Sequence, residues 1–480
     1  MSIHFLPIIA LVVCIVVSLT SLSIKRNHGV SYLMCGAGIM VCMLFLFNQI
    51  GLPSHQTTLF YFKPITPFLS LIMLIVVGML WVQLYQWLES LDERKEEYYL
   101  LMLFATTGAL LMVASNHFAS FFMSLELMSL SLVGLVAYSG KALIAQEAGI
   151  KYLVLSAIAS ALILMGIAII YLQYGTLLFT DLTVFSAATT MPAWVTVTAL
   201  VFMLAGIFFK LSLVPCHLWV ADLFEGAPLP TAALLATLSK LSMFIVLWRM
   251  FNIGQWHNYE AIIDIVAAVA IASMIIGNLL GLLQSNLLRL LAYSSIAHFG
   301  YLLIVLLLVN SNRNLFLGST FATEATVFYL VGYLFTLVGV FSVLMQMPNI
   351  TRIEQLKGLF WHRPVIAITL ALLMLSLAGI PLTIGFMGKF YLVVTAVSHQ
   401  LWWLLSALVI GSVIGLFYYL RVIMVMVKAD QQTIEQSEFS QLKLSTNALV
   451  LNYLTIFLVI GFGTFPAAFS QLIQHLSRVS

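Results

Sequence analysis

The stretch Lys210-Leu-Ser-Leu-Val-Pro215-Cys-His217-Leu-Trp219, continued by Pro228-Leu-Pro230 and Lys240, decides how the rest of the chain is read. It sets two lysines and a histidine, with prolines between them, inside sequence that is otherwise apolar enough to sit in lipid. A lysine at the centre of a membrane helix costs ~3 kcal/mol on insertion scales, so such a residue faces a protein interior or a water path. Chemistry is therefore to be sought here first.

The surroundings support a membrane setting. The chain is 62% hydrophobic and 8% charged, with a mean hydropathy of +1.09, which a soluble core wrapped in polar surface cannot produce. A net charge of +3, dispersed along the chain, gives no basis for nucleic-acid binding. The cysteines Cys14, Cys35, Cys42 and Cys216 lie in or beside apolar runs without a CxxC spacing, and read as small core residues. No iron–sulfur, haem c, Rossmann or Walker pattern occurs, so any redox cofactor is expected on another chain and no metal is expected here. The apolar run Phe5 to Leu22 has no basic residue ahead of it and reads as a retained helix, not a cleaved signal.

Apolar windows of about twenty residues are the requirement for a helix that crosses a bilayer. Fourteen are found, at 3–24, 29–50, 66–88, 98–115, 118–139, 147–174, 193–218, 228–251, 259–283, 286–309, 321–347, 365–397, 401–427 and 446–472. The expected fold is thus an all-α polytopic membrane protein of about fourteen spans. The twelfth window is too long for one straight crossing and contains Gly379-Ile380-Pro381, so it is expected to be broken, as is the seventh at Pro215.

Loops after odd-numbered spans carry Lys25, Arg26, Arg94, Lys95, Lys141, Arg289, Arg352, Lys357, Arg363, Lys428 and Lys443; those after even-numbered spans, with the C-terminus, carry only Lys63, Arg313 and Arg478. This bias predicts both termini on the side of the membrane away from the cytoplasm. Spans 7 and 12 each pair a lysine with a proline in opposite order, Lys210 with Pro215 and Pro381 with Lys389, as inverted-topology repeats would leave them. Five-span blocks 4–8 and 9–13 would have opposite orientations, giving segments 1–97, 98–251, 252–427 and 428–480.

Glu126, mid-way along span 5, has no basic residue near it in sequence; charge there implies a partner from another helix, and Lys210 is the candidate, either as a working pair or as a static one that fixes packing. Lys240, flanked by small and hydroxylated residues in span 8, could load and release a proton as the charge around it changes. Lys389 follows the Gly-Ile-Pro break and is the natural end of a lysine line. His217 and His298 could relay protons between lysines, since neutral imidazole both donates and accepts, or could be hydrogen-bonded structural residues; the sequence leaves both open. Glu147 and Lys151, spaced i,i+4, read as a local pair, with Lys151 able to tune Lys210. Asp222 and Glu225 could line a proton entrance, while Arg249, Asp264, Arg289, Glu324 and Arg421 lie near span ends and read as interfacial anchors.

Three motifs, Phe209 to Trp219 with Gly226-Ala-Pro-Leu-Pro230, Leu290-Leu-Ala-Tyr-Ser-Ser-Ile-Ala-His-Phe-Gly-Tyr301, and Ser376-Leu-Ala-Gly-Ile-Pro-Leu-Thr-Ile-Gly-Phe-Met-Gly-Lys-Phe390, resemble those of the antiporter-like membrane subunits of respiratory complex I. The resemblance runs over nearly the whole chain. It implies a proton-translocating subunit of an NADH:quinone oxidoreductase with fourteen helices and two inverted five-helix repeats. It also implies that FMN, iron–sulfur clusters and quinone sit on other subunits, and that the partners are neighbouring membrane subunits and the lipid bilayer. By motif, Glu126 and Lys210 correspond to the family's coupling pair, Lys240 to its central lysine and Lys389 to its terminal one. Cys216 stands where the family commonly has phenylalanine, and the long lateral helix of the family's distal member is absent. The alternative is a stand-alone or Mrp-like sodium/proton antiporter subunit, since buried lysine–glutamate pairs serve exchange as well.

Overall fold

A computed structural model describes residues 3–89, 94–138, 143–181, 192–307, 319–347, 350–428 and 446–478. Lys141, Arg313, Lys443 and most of the polar segment after Lys428 lie outside the described residues. Among the described residues the regular architecture is helical, apart from one short hairpin that pairs His55–Gln56 with Tyr61–Phe62. Thirteen helices among the described residues are long and apolar enough to cross a membrane, and the two shorter helices Pro364–Ala378 and Ile384–Ser398 form the expected broken span 12. A polytopic all-α fold with about fourteen crossings is what the sequence predicts.

The span ends obey the even and odd partition set by the basic residues. On one face Gln49 donates to the Ile3 carbonyl at 2.7 Å, the Asn116 amide to Leu59 and the Phe118 amide to Leu177, each at 2.9 Å, joining the N-terminus to the ends of spans 2, 4 and 6. On the other, Arg26 pairs with Glu97 at 2.9 Å. Separately, the Leu287 amide donates to Thr351 at 2.8 Å and the Trp361 indole to Val427 at 2.9 Å, joining segments that follow spans 9, 11 and 13. Losing or adding one span would break this agreement.

The helices form two compact units, Met1–Ser212 with Gly226–Val266 and His475–Ser480, and Leu213–Glu225 with Ala267–Gln474. Between lipid-soluble helices there is little hydrophobic drive to associate, and small residues let backbones approach. In the first unit Gly166 and Gly206 do this reciprocally: a Cβ on Gly166 would lie 2.6 Å from the Ala199 carbonyl oxygen, and one on Gly206 2.5 Å from that of Ala159. Spans 6 and 7 are thereby held backbone to backbone. Spans 8 and 11 are buried along the whole of their apolar windows, whereas only 22% of the first span's window is buried. Lys240 and Glu324 therefore sit on interior helices.

Two boundaries depart from expectation. Span 7 does not end at 218: its first helix, Ala193–Lys210, stops at Lys210 and a second, Leu218–Gly226, follows a non-helical stretch. Span 14 ends at Thr464, and residues 466–478 form a separate helix opened by Pro466, whose ring cannot continue the preceding backbone hydrogen bonds.

Candidate functional site

In the first unit the site is assembled from spans 5, 6, 7 and 8. Lys210 is the last helical residue before the break and is 3% exposed. Its Nζ donates to Ser129 Oγ at 2.8 Å and to Ser156 Oγ at 2.6 Å. Glu126, one turn before Ser129 on span 5, accepts from Ser160 Oγ, one turn after Ser156 on span 6. Helical spacing thus puts Glu126 with Ser129, and Ser156 with Ser160, on facing stripes. Among the described residues no direct ion pair within 4.0 Å joins Glu126 to Lys210; each instead meets its own serine hydroxyls. Serine can accept from an ammonium and donate to an amine, so the arrangement accommodates either protonation state.

The break carries the line onward. Ser212, two residues past Lys210, has φ +56°, a left-handed conformation uncommon outside glycine, and its hydroxyl accepts from Lys240 Nζ. Lys240 is 1% exposed and directly follows a π-helical turn, Leu235–Ser239, of the kind often found at functional sites. That turn shifts the register of span 8 at the lysine. Tyr98 and Thr231, joined at 2.7 Å, and Arg249, which donates to the Val113 carbonyl, fix the two ends of this helix.

In the second unit the broken span 12 positions Lys389. Gly379, at φ +84°, ends the first half-helix, and Thr383 caps the second by accepting from the Phe386 amide. Lys389 Nζ donates to the Ala378 carbonyl at 2.9 Å and lies 5.3 Å from the centre of the Tyr301 ring. A freed helix-end carbonyl and an aromatic face are both suited to an ammonium. His298 is 6% exposed and its Nδ1 shares a hydrogen bond of 2.7 Å with the Tyr329 hydroxyl; its Nε2 lies 3.3 Å from the Tyr419 hydroxyl. A small cavity of about 10 Å³ beside it is lined by Tyr329, Tyr333, Thr336 and Ser376. Asn278 joins Tyr301 and Tyr418, each at 2.9 Å.

The remaining candidates separate clearly. His217 is buried, and neither ring nitrogen meets a hydrogen-bonding partner in good geometry among the described residues. Lys151 is half exposed and pairs with Glu147 at 2.6 Å, as a local i,i+4 pair. Asp222 and Glu225 receive Arg289 at 2.9 and 2.7 Å. The anchoring reading fails for two residues: Arg249 is 8% exposed and Glu324 only 2%, because both sit on the interior faces of fully buried helices. Sequence reasoning missed Ser129, Ser156, Ser160, Ser212, Tyr329 and Tyr419. The one available signal was the repeat of hydroxyls at three- and four-residue spacing within otherwise apolar spans.

Residues 115–415, which contain all of these lysines, match the family model described as NADH:quinone oxidoreductase/Mrp antiporter, TM. The chain belongs to that family. Within the family, it is 51% identical over 478 residues, covering 99% of this chain and all of the relative, to NADH-quinone oxidoreductase subunit N of Shewanella woodyi (strain ATCC 51908 / MS32). It is similar to a chain in the respiratory complex I structure from Thermus thermophilus with bound aureothin, at 26% identity and a TM-score of 0.82, covering 97% of this chain and 98% of that one. At 19% identity it shares the fold of a chain in the Mrp complex from Dietzia sp. DQ12-45-1b, with a TM-score of 0.82 and coverage of 99% and 97%. It also shares the fold of a chain of the archaeal membrane-bound sulfane sulfur reductase, at 22% identity, a TM-score of 0.83 and coverage of 99% and 96%.

Proposed function

We propose that this chain is a proton-translocating membrane subunit of the NADH:quinone oxidoreductase, complex I, and that it moves protons along its buried glutamate, lysines and histidines. The observation that carries the reading is the 51% identity over essentially the full length to a subunit N of that enzyme. As a translocase subunit it contributes to an enzyme whose FMN, iron–sulfur clusters and quinone belong to other subunits, and it works beside neighbouring membrane subunits in a bacterial inner membrane, with both termini periplasmic. The chain then comprises a three-helix segment 1–97, repeats 98–251 and 252–427, and a closing segment 428–480.

In this reading, quinone reduction elsewhere in the complex changes the charge around Glu126 and Lys210. Lys210 shifts its hydrogen bonds among Ser129, Ser156 and the Glu126 side, Ser212 conveys the change to Lys240, and Lys389 with His298 completes the line. His217 serves as a relay and Lys151 tunes the charge near Lys210. Moving one charge against roughly 180 mV requires ~4 kcal/mol, the scale of about three pKa units of altered proton affinity. Replacing a buried charge's partner changes energies by that order. The test is Lys210→Ala in the assembled complex: coupled quinone reduction and pumping should both fall sharply, and full pumping by a properly assembled variant refutes the coupling role. The Mrp likeness, at 19% identity, concerns the fold alone; sodium-driven proton flux by the isolated chain would favour an antiporter instead.

A further inference from the structure

Glu324 is a buried carboxylate that the line above does not use. It lies near the start of span 11, on the helix Ser319–Met345, and is 2% exposed. Tyr391 donates to its Oε1 at 2.9 Å, Ser470 donates to the same oxygen, and Gln474 Nε2 donates to Oε2 at 2.8 Å. Among the described residues no lysine, arginine or histidine forms an ion pair with it. A carboxylate held only by neutral donors can take up and release a proton without breaking a salt bridge.

Its donors come from two functionally distinct elements. Tyr391 is on the helix Ile384–Ser398, two residues beyond Lys389, and its ring rests between Phe321 and Phe328 at 5.4 and 5.2 Å. Ser470 and Gln474 belong to the helix Pro466–Arg478, whose inward side they share with the buried Phe469, Ile473 and Leu476. Phe469 seats it, packing on Phe328 at 5.1 Å and on Phe462 at 4.9 Å. The helix therefore covers Glu324 with an aromatic plug and two hydrogen bonds.

We propose that Glu324 is the proton-exchange residue at the surface end of the second unit, and that the C-terminal helix Pro466–Arg478 is the cover that controls its access to water. Glu324 accepts one proton from the interior and releases one to the aqueous phase on the face that carries the C-terminal helix; only O–H bonds form and break. Tyr391 ties Glu324 to the half-helix that carries Lys389, and Ser470 and Gln474 hold the cover closed. The inference rests on the proton-translocating reading above.

The experiment uses the whole complex reconstituted in proteoliposomes, reading NADH-driven proton movement, electron transfer to quinone, and passive proton leak under an imposed pH gradient. Glu324→Gln keeps an acceptor for Tyr391 and Ser470 but cannot exchange a proton; it should reduce pumping at least fivefold with normal electron transfer to an artificial acceptor, and Glu324→Asp should restore much of it. Ser470→Ala with Gln474→Ala keeps the acid and loosens the cover; it should raise passive leak severalfold. Should Glu324→Gln fail to assemble, Tyr391→Phe decides, with a severalfold loss of pumping expected. Wild-type pumping by Glu324→Gln, or by Tyr391→Phe where that variant decides, overturns the exchange role, and unchanged leak in the double variant overturns the cover. If Lys210→Ala blocks pumping while these variants do not, this inference alone fails; if Lys210→Ala pumps normally, the underlying reading fails.

Discussion

The serine hydroxyls that hold Lys210 make a quantitative demand. Lys210 is 3% exposed and its ammonium is supported by Ser129 at 2.8 Å and Ser156 at 2.6 Å. A hydrogen bond to a charged group contributes about 1.5–3 kcal/mol, so Ser156→Ala should slow proton movement through Lys210 roughly ten- to a hundredfold. Removing both serines withdraws about 3–6 kcal/mol by the same measure, a range that brackets the ~4 kcal/mol needed to move a charge against the membrane potential. The single variant should therefore pump slowly and the double variant, Ser129→Ala with Ser156→Ala, almost not at all. Ser156→Thr, which keeps a hydroxyl, should stay near wild type. The assay is NADH-driven acidification of inside-out vesicles containing the assembled complex, followed with a pH-sensitive dye and normalised to electron transfer to an artificial acceptor. Wild-type pumping by the double variant at normal assembly would sink the idea that the serines carry the coupling.

Three further outcomes follow from the packing and the caps. A Cβ on Gly385 would lie 1.9 Å from the Ser376 carbonyl oxygen, so Gly385→Ala should cost at least the ~1–3 kcal/mol of an overpacked core, whereas Gly461→Ala, which meets nothing within 4 Å, should be silent; thermal unfolding of the purified complex compares them. The Arg289 pairs with Asp222 and Glu225 are more than a quarter exposed on every side chain, so Arg289→Ala should change stability by less than about 1 kcal/mol in the same measurement. Burial holds the His117 imidazole below its ordinary value of 6.5, and its Nδ1 accepts the Ala119 amide at 3.1 Å, which only the unprotonated nitrogen can do. With the folded value depressed, the cap's contribution of about 1 kcal/mol is present above pH 6.5 and lost as pH falls through the folded value. Hydrogen exchange at the start of span 5 should therefore quicken on acidification, and His117→Asn, which keeps a cap without titrating there, should abolish that dependence.

What the sequence made legible was what membrane physics makes costly. Lysines at 210, 240 and 389 and the break at Gly379 to Pro381 stand out because a buried charge or a freed backbone group in an apolar run demands a reason. Serines do not, since a hydroxyl can bond back to its own helix, as Ser131 does to Leu127 at 2.7 Å, and so carries no signal of what it faces. Glu324 and Arg249 were misread for a related reason: position along a span gives depth, while the face a residue presents is fixed by neighbours far away in sequence. The C-terminal helix was more accessible, because Phe469, Ile473 and Leu476 among glutamines already break the uniform hydrophobicity that a crossing requires. The hidden hydroxyls alter the chemistry that the visible charges imply. A direct Glu126–Lys210 ion pair would hold the lysine charged and make each transfer begin by separating opposite charges in a low-dielectric interior. With Ser129 and Ser156 on Lys210 and Ser160 on Glu126, each hydroxyl can reverse its role between acceptor and donor, so a proton can leave or arrive at Lys210 while the lysine remains hydrogen-bonded. An arrangement built this way favours switching over static pairing.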